Sequence, residues 1–183
     1  MSETAAERTI REILEYRCPR YEQFPAIPLY RDQVIDALNF YMAPFLSSEE
    51  DQAITASMIN NYVKQHLLPP PVKKRYDRDH MARLYAICML KQVFSISEIQ
   101  GLLDIQTRTY PFPTAYDYFC TELEKALQST FSTRDFSAPS SAHHVTAESE
   151  LVRGSALTIA NKIFTTKFLL LYDLESPAQD ETP

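Results

Sequence analysis

Apolar side chains recur along most of the chain at intervals of three and four residues, the spacing of one face of an α-helix. This pattern predicts helices over residues 7–16, 31–41 and 55–65. Alternation of apolar and polar positions, which is typical of half-buried strands, is nearly absent. We therefore expect an all-α protein with at most a minimal β wing.

Polar residues just before the apolar runs predict where several helices begin. Thr55 is suited to cap the third helix, and Asp77 is suited to cap a fourth. Ser95 followed by Glu98 forms a capping box, in which each side chain bonds the other residue's backbone nitrogen. We expect a short helix from this box through Leu103.

The second half of the chain has a different pattern. Residues 110–113 alternate aromatic residues with prolines and predict a rigid link, after which residues 119–127 predict an amphipathic helix. The Ser-, Pro- and Thr-rich stretch 129–142 predicts an exposed loop. A near-heptad apolar pattern predicts a long helix over 147–172. We expect the tail from Glu175 to be disordered.

The third helix has two unlike faces. Its apolar face carries Met58, Ile59, Tyr62 and Val63. Its polar face, at positions i, i+3, i+4 and i+7, carries Ser57, Asn60, Asn61 and Lys64. One face should therefore pack against the protein while the other offers hydrogen bonds, although an exposed helix could carry asparagines for solvation alone.

Charge is unevenly distributed along the chain. The net charge is −6, yet residues 54–91 hold seven basic side chains against two acidic ones. The basic residues are Lys64, Lys73, Lys74, Arg75, Arg78, Arg83 and Lys91. Because phosphate attraction is short-ranged at physiological salt, a local basic surface on an acidic protein suits contact with DNA at one place.

Several classes of protein are excluded by what the sequence lacks. The three cysteines are far apart without C-x-x-C spacing, and we expect reduced thiols, with Cys88 in the core. The N-terminus has no signal-peptide pattern, and the apolar runs are too short to span a membrane. We expect a soluble cytoplasmic protein with no membrane partner.

Catalytic and cofactor motifs are also lacking. There is no Gly-rich phosphate loop, no Ser/His/Asp arrangement and no paired carboxylates in a catalytic context. The tandem His143-His144 has no third ligand at useful spacing, so we expect no metal site. We expect no cofactor and no enzymatic activity.

The stretch 58–103 resembles the DNA-binding domain of the MerR family, a winged helix-turn-helix. The family's recognition helix and following turn are similar to residues 60–69, its wing and acid-capped helix to 74–79, and its later turn to 93–99. Asn60 stands where the family has arginine, and His66 stands where it has glycine. With the segment 24–30 included, the chain looks most like an uncharacterised bacterial family, domain of unknown function 1836, that carries a MerR-like winged helix.

The resemblance implies a sequence-specific DNA-binding transcriptional regulator whose recognition helix, about 55–65, enters the major groove while a basic wing, 72–76, binds phosphates. An asparagine can pair with adenine through two hydrogen bonds, and a lysine can reach guanine or phosphate. The residues expected at double-stranded DNA are Thr55, Ser57, Asn60, Asn61, Lys64, Lys73, Lys74, Arg75 and Tyr76.

We expect four regions: an N-terminal helix and extended arm over 1–29, the winged helix-turn-helix over 30–105, a helical dimerisation or sensing region over 106–174, and the tail 175–183. DNA readers of this size usually bind as symmetric pairs, so we expect a homodimer. An unknown effector or protein partner is a further possibility. The alternative is a protein-interaction adaptor that keeps the winged-helix fold without binding DNA.

Overall fold

The computed structural model describes residues 4–46, 48, 51–137 and 139–175. Most of these residues lie in helices, as the periodicity of the sequence predicts. Within this described part the chain forms seven α-helices: α1 (Ala5–Glu15), α2 (Arg31–Met42), α3 (Ala56–Lys64), α4 (Arg78–Leu90), α5 (Ile96–Thr109), α6 (Phe112–Gln128) and α7 (Ala147–Glu175). The strands β1 (Leu29–Tyr30) and β2 (Arg75–Tyr76) form a single small antiparallel sheet. The prediction of an all-α protein with minimal β structure is confirmed.

Local capping sets the N-termini of three helices. The Thr55 hydroxyl accepts a hydrogen bond from the backbone nitrogen of Met58 at 3.3 Å, and the Asp77 carboxylate accepts one from that of His80 at 3.1 Å. Ser95 makes the reciprocal box that begins α5. These caps satisfy backbone donors that have no partner within the helix. All three predicted caps are confirmed.

Helix α4 forms the centre of the core. All its residues from Met81 to Leu90 are buried except Arg83. Such a helix, apolar nearly all round, must be covered on every side. The buried cluster around it extends from Ile13 in α1 to Ile163 in α7. The core is therefore continuous across residue 105, where we expected one region to end.

Helix α5 is longer than the sequence predicted. It continues past Leu103 to Thr109, because Gln106 is buried and nothing before Tyr110 interrupts the backbone hydrogen bonds. Pro111 then precedes α6, and Pro113 lies in the first turn of α6, where a missing amide hydrogen costs nothing. Of the expected rigid link over 110–113, Tyr110 and Pro111 connect the two helices, whereas Phe112 and Pro113 belong to α6.

The expected loop over 129–142 is also partly wrong. Its first residues, Ser129–Thr133, continue α6 as a π-helical turn in which Thr130 and Phe131 are buried. The ring of Phe131 lies 5.4 Å from that of Phe164 in α7. Burial of this aromatic side chain against a distant helix outweighs the local Ser- and Thr-rich composition.

The apolar stripe of α7 follows the pattern predicted for it except near its end. Val152, Ala156, Ile159 and Ile163 are buried, but Leu171 is buried instead of Leu170, which is 37% exposed. A straight helix drifts relative to a seven-residue repeat, so the buried position moves by one residue. The expected disordered tail begins at Glu175, which belongs to α7, and its remainder, 176–183, lies outside the described residues.

Two further findings concern the whole described chain. Cys18, Cys88 and Cys120 are buried free thiols, which confirms the prediction that Cys88 belongs to the core. None of the helices, taken over the described residues, combines the length and the apolar character needed to cross a bilayer.

Candidate nucleic-acid interface

The polar and apolar faces of α3 separate as the sequence predicts. Ile59 and Tyr62 are buried. Met58 and Val63 are half-buried and pack against the same core. The side chains exposed on the outer face are Ser57, Asn60, Asn61 and Lys64. This face is accessible to a ligand along the length of the helix.

The two asparagines on this face are not equivalent. The Asn61 Oδ1 accepts a hydrogen bond from the Nε2 of Gln65 at 3.3 Å. Asn60 has no hydrogen-bond partner among the described residues, so both its donor and its acceptor are available. Gln65 was missed as a candidate residue, although its position four residues after Asn61 places it on the same face.

A left-handed residue ends α3. His66 has φ 58°, its backbone nitrogen donates to the Val63 carbonyl at 3.1 Å, and that of Leu67 donates to the Tyr62 carbonyl at 2.9 Å. This pair of bonds is the Schellman motif, which usually places glycine at the left-handed position. Leu67 and Leu68 are buried and fix the direction in which the chain leaves the helix.

Replacing His66 by glycine should stabilise the protein. A side chain costs about 1–2 kcal/mol in left-handed backbone, and His66 is exposed, so little packing is lost. After the entropic cost of glycine, we expect the free energy of unfolding in urea to rise by about 1 kcal/mol. His144→Gly is the control, because His144 is exposed without positive φ and should gain nothing. A His66→Gly variant less stable than the parent would contradict this account.

Residues 72–76, which we call the wing, contain a tight turn. The backbone of Val72 and that of Arg75 exchange two hydrogen bonds, at 3.1 and 2.9 Å. Between them Lys73 and Lys74 have φ values of 49° and 63°. Positive φ at both central residues is the requirement of a type I′ turn, which favours asparagine and glycine. Two lysines therefore occupy a strained turn that other residues would stabilise.

The two turn lysines are exposed, and neither has an ion-pair or hydrogen-bond partner among the described residues. Among all the described residues, the non-glycine residues with positive φ are His66, Lys73, Lys74 and Arg134. Strained backbone persists when a fold over-determines it, and it concentrates at functional sites. The wing thus presents two adjacent uncompensated charges at its tip.

Arg75 is held in place by β1. In the sheet it lies directly opposite Tyr30, whose ring is 4.3 Å from the guanidinium carbon and whose hydroxyl oxygen is 2.8 Å from the Arg75 Nη2. The Pro28 carbonyl oxygen accepts a weaker bond from Nη1 at 3.4 Å. Tyr30 was missed as a site residue, because its contact with Arg75 joins positions 45 residues apart.

Tyr76 does not belong to the exposed surface and is a correction to the predicted site. Its side chain is 4% exposed and its ring packs edge-on against His80, with the centroids 5.5 Å apart. Because residues alternate between the two faces of a strand, the outward position of Arg75 turns Tyr76 to the core. Thr55 is half-buried, and its hydroxyl is engaged in capping α3.

The basic surface is smaller than the sequence count suggested. Arg78 forms an ion pair with Glu22 and bonds the Phe24 carbonyl oxygen. Arg83 lies 4.8 Å from the centre of the Phe112 ring, and burial lowers its pKa. The Lys91 ammonium bonds the Ala53 carbonyl oxygen.

The exposed basic side chains remaining from residues 54–91 are Lys64, Lys73, Lys74 and Arg75. Within the described residues no three His, Cys, Asp or Glu side chains are grouped so that they could hold a metal ion. The site therefore offers hydrogen-bonding groups on a helix and positive charge on the wing.

These features describe a mostly helical protein with a polar helix face beside a small basic wing. The chain belongs to the family described as Domain of unknown function (DUF1836), whose model matches residues 19–119. The match includes α2 to α5 and both strands. Neither the comparison with curated proteins nor that with solved structures gives a match.

Proposed function

We propose that the protein is a sequence-specific DNA-binding transcriptional regulator of MerR-like winged helix-turn-helix type. In this proposal α3 enters the major groove and the wing binds the phosphate backbone. The observation that carries the proposal is the pair Lys73-Lys74, which keeps two unpartnered ammonium groups on a strained turn. Strained residues concentrate at functional sites, and these two also carry unpaired positive charge, which an anionic group such as a phosphate would neutralise.

The geometry of α3 supports the same conclusion. The major groove admits an α-helix, and base edges there are distinguished by patterns of hydrogen-bond donors and acceptors. Asn60 has a free amide for such a pattern, and Lys64 adds a charge in the last turn of the helix. Phosphate contacts by the wing would orient the helix without reading sequence.

We propose further that the protein acts as a homodimer on two half-sites. Leu169, Leu170 and Tyr172 leave apolar surface exposed near the end of α7, at 60%, 37% and 72%. Exposed apolar groups of this kind can be covered by a second copy. Light scattering at tens of micromolar should give twice the chain mass of 21.1 kDa, and a monomer with or without DNA would remove this part of the proposal.

The test of the function is binding to DNA as a function of salt. Purified protein is used to select fragments from genomic DNA, and the selected fragment and a scrambled duplex are titrated between about 50 and 200 mM salt. Each phosphate contact releases counterions, so four basic contacts per protomer should give a slope of about −3.6 per protomer, or about −7 for the homodimer, in log affinity against log salt. The selected fragment should bind more tightly than the scrambled one at every salt concentration.

A second candidate function, an adaptor for a protein partner, is favoured by a different observation. Val72 in the wing and Ile27 and Tyr30 beside it are 68%, 74% and 53% exposed. An apolar protein interface depends little on salt, whereas phosphate binding depends on it steeply. Absence of DNA binding at about 50 mM salt would reject the regulator and favour the adaptor.

A further inference from the structure

Tyr30 and Arg75 form an exposed pair at the base of the wing. The two residues lie directly opposite each other in the two-stranded sheet. The guanidinium carbon of Arg75 lies 4.3 Å from the centre of the Tyr30 ring, and its Nη2 donates to the Tyr30 hydroxyl oxygen at 2.8 Å. Tyr30 is 53% exposed, and Arg75 is exposed as well. The pair is therefore accessible to a ligand from outside the protein.

An exposed contact of this kind stabilises the fold only slightly, because water competes for both groups. Its larger effect is on the freedom of the Arg75 side chain. An arginine at the surface otherwise samples many rotamers. Stacking on the Tyr30 ring holds the plane of the guanidinium, and the hydrogen bond to the hydroxyl fixes its rotation within that plane. Arg75 is thus held in one orientation.

Both ends of the pair are attached to ordered backbone. The backbone nitrogen and oxygen of Arg75 are bonded to Val72 across the wing turn, at 2.9 and 3.1 Å. The backbone nitrogen of Tyr30 donates to the Gln33 Oε1 at 2.9 Å, where α2 begins. The orientation of the guanidinium is therefore defined relative to α2 as well as to the wing.

Helix α2 is in turn bonded to the segment that precedes α3. The Asn39 side chain in α2 donates to the Ile54 carbonyl oxygen at 3.1 Å and accepts from the Ile54 backbone nitrogen at 3.2 Å. Ile54 is buried and comes directly before Thr55, which caps α3. The positions of Arg75 and α3 are thus related to each other through α2.

The guanidinium keeps enough donors for an anion. Of its five N–H groups, one bonds the Tyr30 hydroxyl and one bonds the Pro28 carbonyl oxygen at 3.4 Å. Within the described part of the chain no carboxylate forms an ion pair with Arg75. Arginine binds phosphate through two parallel N–H···O bonds, so the orientation of its plane decides the contact. Lys73 and Lys74 instead carry point charges on flexible side chains.

We propose that Tyr30 is a positioning residue, which holds the Arg75 guanidinium for a two-bonded contact with one phosphate of the DNA backbone. This inference rests on the proposed DNA binding and adds a division of roles within the wing. The two lysines supply charge, whereas Arg75 fixes where a phosphate lies relative to α3. Because Arg75 is ordered before DNA arrives, binding does not incur the entropic cost of immobilising it.

Replacing Tyr30 by leucine tests the positioning role, since it removes the ring and the hydroxyl but no charge. Affinity for the selected and the scrambled duplex should fall about two- to tenfold per protomer, the cost of immobilising one long side chain. The salt slope should stay that of the parent, because the number of phosphate contacts is unchanged. Tyr30→Phe keeps the ring and should lose less affinity. Tyr110→Leu makes the same change at a 39% exposed tyrosine outside α3 and the wing, and it should bind like the parent.

A double-mutant cycle separates positioning from a direct or structural role. Arg75→Gln removes the charge and should lower the salt slope by about 0.9 per protomer. In that background Tyr30→Leu should change the affinity no further, because Tyr30 acts only through Arg75. An additional loss of affinity would mean that Tyr30 contacts DNA or supports the wing by itself, and it would overturn the proposal.

The order of the Arg75 side chain can be measured without DNA. NMR relaxation of its Nε–H group, assigned by its absence from the Arg75→Gln spectrum, should report a rigid side chain in the parent and a mobile one in Tyr30→Leu. A mobile Arg75 in the parent would overturn the proposal. If the parent binds neither duplex at about 50 mM salt, the proposed function fails and this inference fails with it. If the parent binds DNA and Tyr30→Leu binds equally well, only the positioning role is rejected.

Discussion

Replacing Lys73 by asparagine together with Lys74 by glycine should make DNA binding markedly less dependent on salt. Each lost phosphate contact removes about 0.9 from the slope, so the double variant should lose about 1.8 units per protomer, or about 3.6 for the homodimer. The same counterion release corresponds to roughly a thirtyfold loss of affinity per protomer near 0.15 M salt. The loss should be similar for the selected and the scrambled duplex, because phosphate contacts carry no sequence information.

Substitution by asparagine and glycine removes the two charges of the wing while preserving its turn. Both residues favour the type I′ turn, so the variant should be at least as stable as the parent while it carries two charges fewer. Replacement of both lysines by arginine is the matched control, since it keeps the charge and the strained turn and should keep the slope. If the slope of the stable Asn-Gly variant equals that of the parent, the wing does not contact DNA.

Asn60→Ala should reduce discrimination between DNA sequences without reducing general affinity. If the free amide of Asn60 bonds a base edge, its loss should cost about 1–3 kcal/mol against the selected duplex, or roughly five- to 150-fold. Affinity for the scrambled duplex should stay nearly constant because phosphate contacts persist. The side chain is exposed on α3, so its removal leaves no cavity and the free energy of unfolding should not fall.

Lys64→Gln gives the contrast on the same helix. It should lower the salt slope by about one unit per protomer and weaken the binding of both duplexes alike. The ratio of the two affinities therefore distinguishes a base contact from a phosphate contact. If Asn60→Ala weakens both duplexes equally, the asparagine contacts the backbone, and if it changes neither, α3 is not the recognition helix.

Asn61→Ala should reduce discrimination between DNA sequences less than Asn60→Ala does. The Asn61 Oδ1 is bonded to Gln65, so a base contact must first break or extend this bond. The sequence placed Asn60 and Asn61 side by side as equal candidates. Only the folded helix distinguishes the free amide from the bonded one.

The sequence by itself determined the helices that depend on local interactions. The capping residues Thr55, Asp77 and Ser95 act within three residues of themselves, so their role can be read from neighbouring positions alone. The two faces of α3 follow in the same way from helical spacing. This is why the helix order and the exposed positions Asn60 and Lys64 were predictable.

Only the tertiary structure decided which charges and rings are available. Arg78, Arg83 and Lys91 count as basic residues in the sequence, yet contacts with Glu22, Phe112 and Ala53 hold them against the protein. These contacts join positions that are distant along the chain, and no local pattern reports them.

The same reason explains Tyr76, Arg75 and the end of α6. The pairing of β2 with β1 decides that Tyr76 faces the core while Arg75 lies against Tyr30. The packing of Phe131 on α7 decides that a Ser- and Thr-rich segment continues as helix. Caps and amphipathic faces are encoded by neighbours in sequence, whereas burial and pairing depend on residues that meet only when the chain has folded.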